Sequence, residues 1–149
     1  MSIARKLRVY HRLQLSAHRV QKLADRSLLT TADITTAQAA VLAVVAGSDK
    51  ATQRDVAKQL GLNESAVTGM VTRLLNLDLL EREPHDTDTR AWRLALSKNG
   101  RAALKNIEKP FGAINARIES VLKEDEITRL ADYLERISNA FDDKKAGSD

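Results

Sequence analysis

The chain contains no cysteine in its 149 residues. That rules out disulfides, cysteine–zinc sites and thiol redox chemistry. Aromatic residues are only 3%, so Leu, Ile, Val and Ala must fill the core, as they do in helix bundles. Six glycines and two prolines are too few for the many turns of an all-β design. No stretch approaches the roughly 20 consecutive apolar residues of a membrane-spanning helix. The opening MSIARKLRVYHRLQ has no apolar run resembling a signal peptide. The expectation is a cytoplasmic protein with no membrane partner. Hydrophobic residues at 43% still provide the core of one domain, residues 1–149, and argue against broad disorder.

Charge is also sparse where it would be most informative. The net charge is +4, and it is unevenly spread. Residues 1–35 hold seven Arg and Lys against two Asp and Glu, residues 48–98 eight against eight, and residues 99–149 nine against ten. The middle of the chain is therefore not a basic patch. Any affinity it has for phosphate must come from particular side chains, from helix N-termini or from the basic first helix.

That first helix is expected over residues 3–27. Ile3, Leu7, Tyr10, Leu13, Ala17, Val20 and Ala24 recur at spacings of three and four, with Arg and Lys largely between them. Thr35 and Gln38 have the form of a capping box. They precede the chargeless run AQAAVLAVVAG, which reads as a mostly buried central helix ended by a left-handed Gly47.

Residues 52–97 carry the densest pattern. Thr52 caps a short helix with Asp55 at its third position. Gly61 suits a left-handed turn, Leu62 is expected to pack inward, and Asn63 caps a second helix. Ala57, Gly61, Leu62, Val67 and Leu74 fall where a helix-turn-helix needs them. At ~100° per residue, Val67, Val71 and Leu74 form the inward face of the second helix. Ser65, Gly69, Thr72, Arg73 and Asn76 lie opposite, with Thr68 at the edge. Short polar side chains and a glycine suit a helix seated in a major groove, although an ordinary surface face would also look like this.

Residues 79–83 and 91–96 then read as two paired strands, joined by PHDTDTR. Arg90 at such a tip suits a narrow minor groove, with Asp88 as its partner. The competing reading is a plain Asp–Arg surface pair.

Ser97 caps the next helix. Leu104, Ile107, Phe111, Ile114, Ile118 and Val121 follow a strict three–four alternation that Pro110 should bend. A final helix begins at Glu124-Asp125-Glu126 and carries Ile127, Leu130, Leu134, Ile137 and Phe141 at the same spacing. The fold class is thus mainly α with a small β-wing. The winged helix-turn-helix occupies residues 35–97, and dimerisation helices occupy 1–29 and 98–142. The stripes on these terminal helices most simply bury one another in a homodimer, although a monomeric bundle would also use them.

At the wing, Asp88-Thr89-Arg90-Ala91 through Leu96-Ser97 resembles the D-x-R…L-[TS] pattern of MarR-type transcription regulators. The preceding TQRDVAKQLGLNESAVTGMVTRLLNLDLLERE resembles their helix-turn-helix, Thr35-Thr36-Ala37-Gln38 their helix start after Ile34, and Gly100-Arg101 their turn after the wing. The resemblance implies a homodimeric repressor or activator, with repression the expected sign, on a palindromic double-stranded DNA operator. The DNA-binding set is then Asn63, Ser65, Thr68, Gly69, Thr72, Arg73, Arg90 and Asp88. It further implies a small, often aromatic and anionic effector, for which His11, Arg12, His18 and Arg19 are the candidates. Glu83, His85, Asp86 and Asp88 make this wing more acidic than is usual for the family.

Other classes fit less well. No Ser–His–Asp set, phosphate loop or paired-carboxylate cleft points to an enzyme or a cofactor, and the three histidines lack metal-ligand spacing. The main alternative is a winged-helix protein-interaction module without specific DNA binding, in keeping with the zero net charge of residues 48–98.

Overall fold

The structure, a computed structural model, describes residue 3 and residues 8–84 and 92–141. Among these are six helices and one two-stranded sheet: α1 (Arg8–Ala32), α2 (Thr36–Ala46), α3 (Gln53–Leu60), α4 (Glu64–Asn76), β1 (Leu80–Pro84), β2 (Trp92–Leu96), α5 (Lys98–Glu119) and α6 (Glu124–Ala140). This is the winged helix-turn-helix read from the sequence. The chain divides into two compact units, Met1–Phe111 and Gly112–Asp149.

The first unit is built around α2. Its capping box is formed: Gln38 N donates to Thr35 Oγ1 at 3.2 Å, and Thr35 N donates to Gln38 Oε1 at 3.1 Å. Val41, Leu42 and Val45 are buried, and α2 packs against α1, α3, α4 and β2. Around it, Leu28, Ile34, Val56, Val67, Val71, Leu74 and Leu94 are fully enclosed. Burying a side chain of this size contributes about 1.5–3 kcal/mol, so this cluster dominates the unit's stability.

Three expectations are corrected here. Helix α1 runs on to Ala32, with the hydroxyls of Thr30 and Thr31 donating to the carbonyls of Arg26 and Ser27, each at 2.9 Å, and Leu28 buried in its last turns. It stops where Asp33 adopts φ 54. Gly47 is right-handed (φ −81), since its N–H closes a tight last turn onto Ala43 O and Val44 O and needs no left-handed residue. Leu62 does not pack inward but is 40% exposed: its N–H closes the turn after Gly61 onto Ala57 O at 3.0 Å, and the side chain stays at the surface.

The link from α1 to α2 is held by Asp25. Its Oδ1 accepts from Thr36 N at 2.8 Å and from Thr36 Oγ1 at 2.7 Å, so a carboxylate on one helix satisfies an orphan donor at the start of the next.

In the second unit α6 begins as expected, with Lys123 N donating to Glu126 Oε2 at 2.8 Å and three carboxylates in the first turn. Helix α5 continues through Pro110, and burial fades along its apolar seam: Ile107 and Ile114 are buried, while Ile118 and Val121 are exposed. No residue of α6 is buried; Leu130, Tyr133 and Leu134 are exposed. No single described helix is long and apolar enough to cross a membrane.

Candidate nucleic-acid interface

The local sequence fixes the helix-turn-helix tightly. Thr52 and Asp55 form a reciprocal cap: Asp55 N donates to Thr52 Oγ1 at 3.3 Å, and Thr52 N donates to Asp55 Oδ2 at 3.0 Å. Gly61 sits at φ 65, a conformation that costs a residue with a Cβ roughly 1 kcal/mol or more. Ala66 N donates to Asn63 Oδ1 at 2.8 Å and starts α4. Two buried stripes then lock the helices together, Val56 and Ala57 against Val67, Val71 and Leu74.

The outward face of α4 is the one read from the sequence. Ser65, Thr68, Gly69, Thr72 and Arg73 are all exposed. Asn63 is exposed too, but its carbonyl oxygen is committed to capping. A Cβ built on Gly69 meets nothing within 4 Å, so no internal packing demands glycine there. Glycine in a helix interior is unfavourable by about 1 kcal/mol relative to alanine. Its presence suits a close approach from outside the chain.

Two residues at the start of α3 belong to the same surface and were not singled out from the sequence. Thr68 Oγ1 donates toward Gln53 Oε1 at 3.1 Å, and Arg54 Nε donates to Glu64 Oε1 at 3.2 Å. These pairs are 15 and 10 residues apart, beyond any local pattern. The clue available was that Gln53 and Arg54 open a helix that must cross α4 near its N-terminal end.

The wing strands are antiparallel, in the register Leu80↔Leu96, Arg82↔Leu94 and Pro84↔Trp92. Leu94 N also donates to Ala51 O at 2.8 Å, which ties the hairpin to the connector before α3. Glu83, one source of the wing's unusual acidity, lies directly opposite Arg93 and accepts from its Nε at 3.0 Å. Its charge is thus paired within the sheet. Trp92 is 52% exposed on the stem. Asp88 and Arg90, with His85 and Asp86, lie outside the described residues.

The base of the wing is closely built. Ser97 Oγ donates to Asp78 O at 2.6 Å and accepts from Gly100 N at 2.9 Å, which makes Ser97 the expected cap of α5. A Cβ on Gly100 would stand 2.0 Å from Leu79 O. Glycine is required there by space.

The first-helix set is less coherent. His11, Arg12, His18 and Arg19 are all exposed on α1. His18 lines an open groove of about 630 Å³ shared with Gln21, Lys22, Asp25, Arg26 and Leu29. A second groove, of about 520 Å³, lies within the first unit between the end of α2, β2 and the start of α5. Val45, Leu94, Leu96 and Leu104 give it an apolar floor, and Arg101 and Lys105 place cations on its rim. Arg101 also donates to Leu96 O at 3.0 Å. Among the described residues no group of three His, Asp or Glu side chains is placed to hold a metal ion.

Residues 32–91 match the model of the MarR family. No curated protein matches the chain significantly. Among solved structures the fold is similar to that of S. aureus MepR in a DNA complex, at 22% identity and TM-score 0.82, covering 89% of this chain and 97% of that one. It is similar to a mutant MarR from E. coli complexed with operator DNA, at 24% identity and TM-score 0.82, covering 92% and 99%. It is also similar to the PcaV transcriptional regulator from Streptomyces coelicolor in complex with its natural ligand, at 23% identity and TM-score 0.76, covering 90% and 92%. Residues 32–91 thus match the MarR family model, and the fold around them is similar to that of MarR-type winged helix-turn-helix structures.

Proposed function

We propose that this protein is a DNA-binding transcription regulator, acting as a homodimeric repressor on a palindromic operator. The observation that carries this reading is the outward face of α4. Ser65, Thr68, Gly69, Thr72 and Arg73 stand exposed on a helix whose opposite face is fully buried, and Gly69 has no packing reason to be glycine. Similarity in fold to MepR and MarR proteins solved with DNA supports the same reading.

Pairing follows from the terminal helices. The exposed apolar residues of α1 and α6, Tyr10, Val20 and Leu29 on one and Leu130, Tyr133 and Leu134 on the other, find a partner in a second copy. Two copies of α4 then address half-sites about one helical turn apart, ~34–36 Å. Arg90 reaches the minor groove with Asp88 steadying it. A small anionic effector binds the groove beside β2, where Arg101 and Lys105 supply charge over an apolar floor. The first-helix residues His11, Arg12, His18 and Arg19 form the second candidate set.

Selection of fragments from a random double-stranded DNA pool tests the reading. A palindromic consensus bound more weakly as salt rises is the expected result. A dimer that retains no sequence would instead support the protein-interaction module. Arg90→Ala should weaken binding while leaving the dimer intact, and unchanged affinity across a salt titration would remove Arg90 from the interface.

A further inference from the structure

The hydroxyl of Thr68 faces two acceptors with one proton. Glu64 O lies 2.8 Å from Thr68 Oγ1 and Gln53 Oε1 lies 3.1 Å from it. A threonine hydroxyl has one hydrogen and two lone pairs. If the proton swung outward, two carbonyl oxygens would face the lone pairs of Oγ1 at those distances, a repulsive arrangement on both counts. The proton is therefore held on the protein side, whichever of the two acceptors takes it, and Oγ1 turns a lone pair outward.

Glu64, whose carbonyl is one acceptor, is itself tied to Arg54 of α3 by an ion pair at 3.2 Å. Gln53 sits directly after the Thr52–Asp55 cap, in the first turn of α3. Gly69, the next residue on α4, has open space at its own Cβ position.

From this geometry we infer that Thr68 reads DNA as a hydrogen-bond acceptor, selecting a base amino group, because Glu64 O, assisted by Gln53, holds its proton inward. In the major groove the amino donors are adenine N6 and cytosine N4, whereas thymine O4 and guanine O6 are acceptors. An oxygen that presents only a lone pair bonds the first two and repels the last two. The inference rests on the proposed seating of α4 in the major groove. It adds a rule of recognition that the outward face of α4 alone does not contain, since an unconstrained threonine donates and accepts equally well.

The test is selection from a random double-stranded DNA pool with the full-length chain, followed by affinity measurements on every single-base variant of the selected site. Wild type should prefer adenine or cytosine over thymine or guanine at one position in each half-site, by about 5–10-fold. Thr68→Val, which keeps the shape and removes the oxygen, should flatten that preference and leave the other positions ranked as before. Thr68→Ser should keep it. Gln53→Leu, which leaves Glu64 O as the remaining acceptor, should weaken the preference only in part. Gln53→Glu, which retains the acceptor, should keep the preference while lowering affinity for all sequences through its added charge. A base ranking unchanged in Thr68→Val, or a thymine or guanine preference lost in that variant, would overturn the assignment. A pool from which wild type selects nothing would instead overturn the DNA-binding reading itself, and this inference with it.

Discussion

The helix-turn-helix and the last helix use the same apolar vocabulary to opposite ends. In the helix-turn-helix every apolar stripe is spent inside the chain: Val56, Val67, Val71 and Leu74 are completely enclosed. Each of its two helices starts on a side-chain cap. On α6, Ile127, Leu130, Leu134 and Ile137 recur at an equally regular spacing, yet none is buried. Periodicity reports that a helix has an apolar face and not what covers it. The difference teaches that the helix-turn-helix is packed to completion within one chain, whereas the apolar residues of the last helix are left unburied by it.

The comparison can be broken first at its most closely packed point. Gly100→Ala forces a Cβ against the Leu79 carbonyl at the base of the wing. Such overpacking against backbone should cost about 3 kcal/mol, seen as a lowered midpoint in denaturant unfolding. Unaltered stability would mean that this junction relaxes freely. Next comes the contrast itself. Leu130→Glu combined with Leu134→Glu should convert a dimer to monomer in sedimentation, with the near-native helical signal retained; the same pair buried inside a monomeric bundle would unfold the chain instead. Smaller still is Thr52→Ala, which removes a reciprocal cap and should destabilise by about 1 kcal/mol.

The smallest expected change in stability is the most discriminating. Gly69→Ala should stabilise the isolated protein by up to about 1 kcal/mol, because nothing in the chain opposes the new methyl group. The same substitution should weaken binding to selected DNA. Stabilisation without loss of binding would remove the reason offered for that glycine.

What was legible in the sequence was local. The caps at Thr35, Thr52, Asn63 and Ser97 and the left-handed Gly61 depend on residues one to four apart, and all are formed. The inward stripe of α4 followed from helical geometry alone. The bonds that join elements were not legible, since Asp25 to Thr36, Gln53 to Thr68 and Glu83 to Arg93 depend on how the chain folds back. Gly100 stands in a recognisable motif, but the reason for glycine there, the approach of the Leu79 carbonyl, lies 21 residues away. Leu62 and Gly47 depart from the sequence expectation for a related reason. A hydrophobic residue or a glycine at a helix end has several uses, and the closing turns at Leu62 and Gly47 decided between them.

The central claim is that one chain is half of a DNA reader. The mass of the complex formed with a selected duplex, measured by light scattering at protein excess, tests it most directly. Two chains on each two-half-site duplex is the predicted result. A single chain bound per duplex, with affinity unaffected by deleting the second half-site, would contradict it.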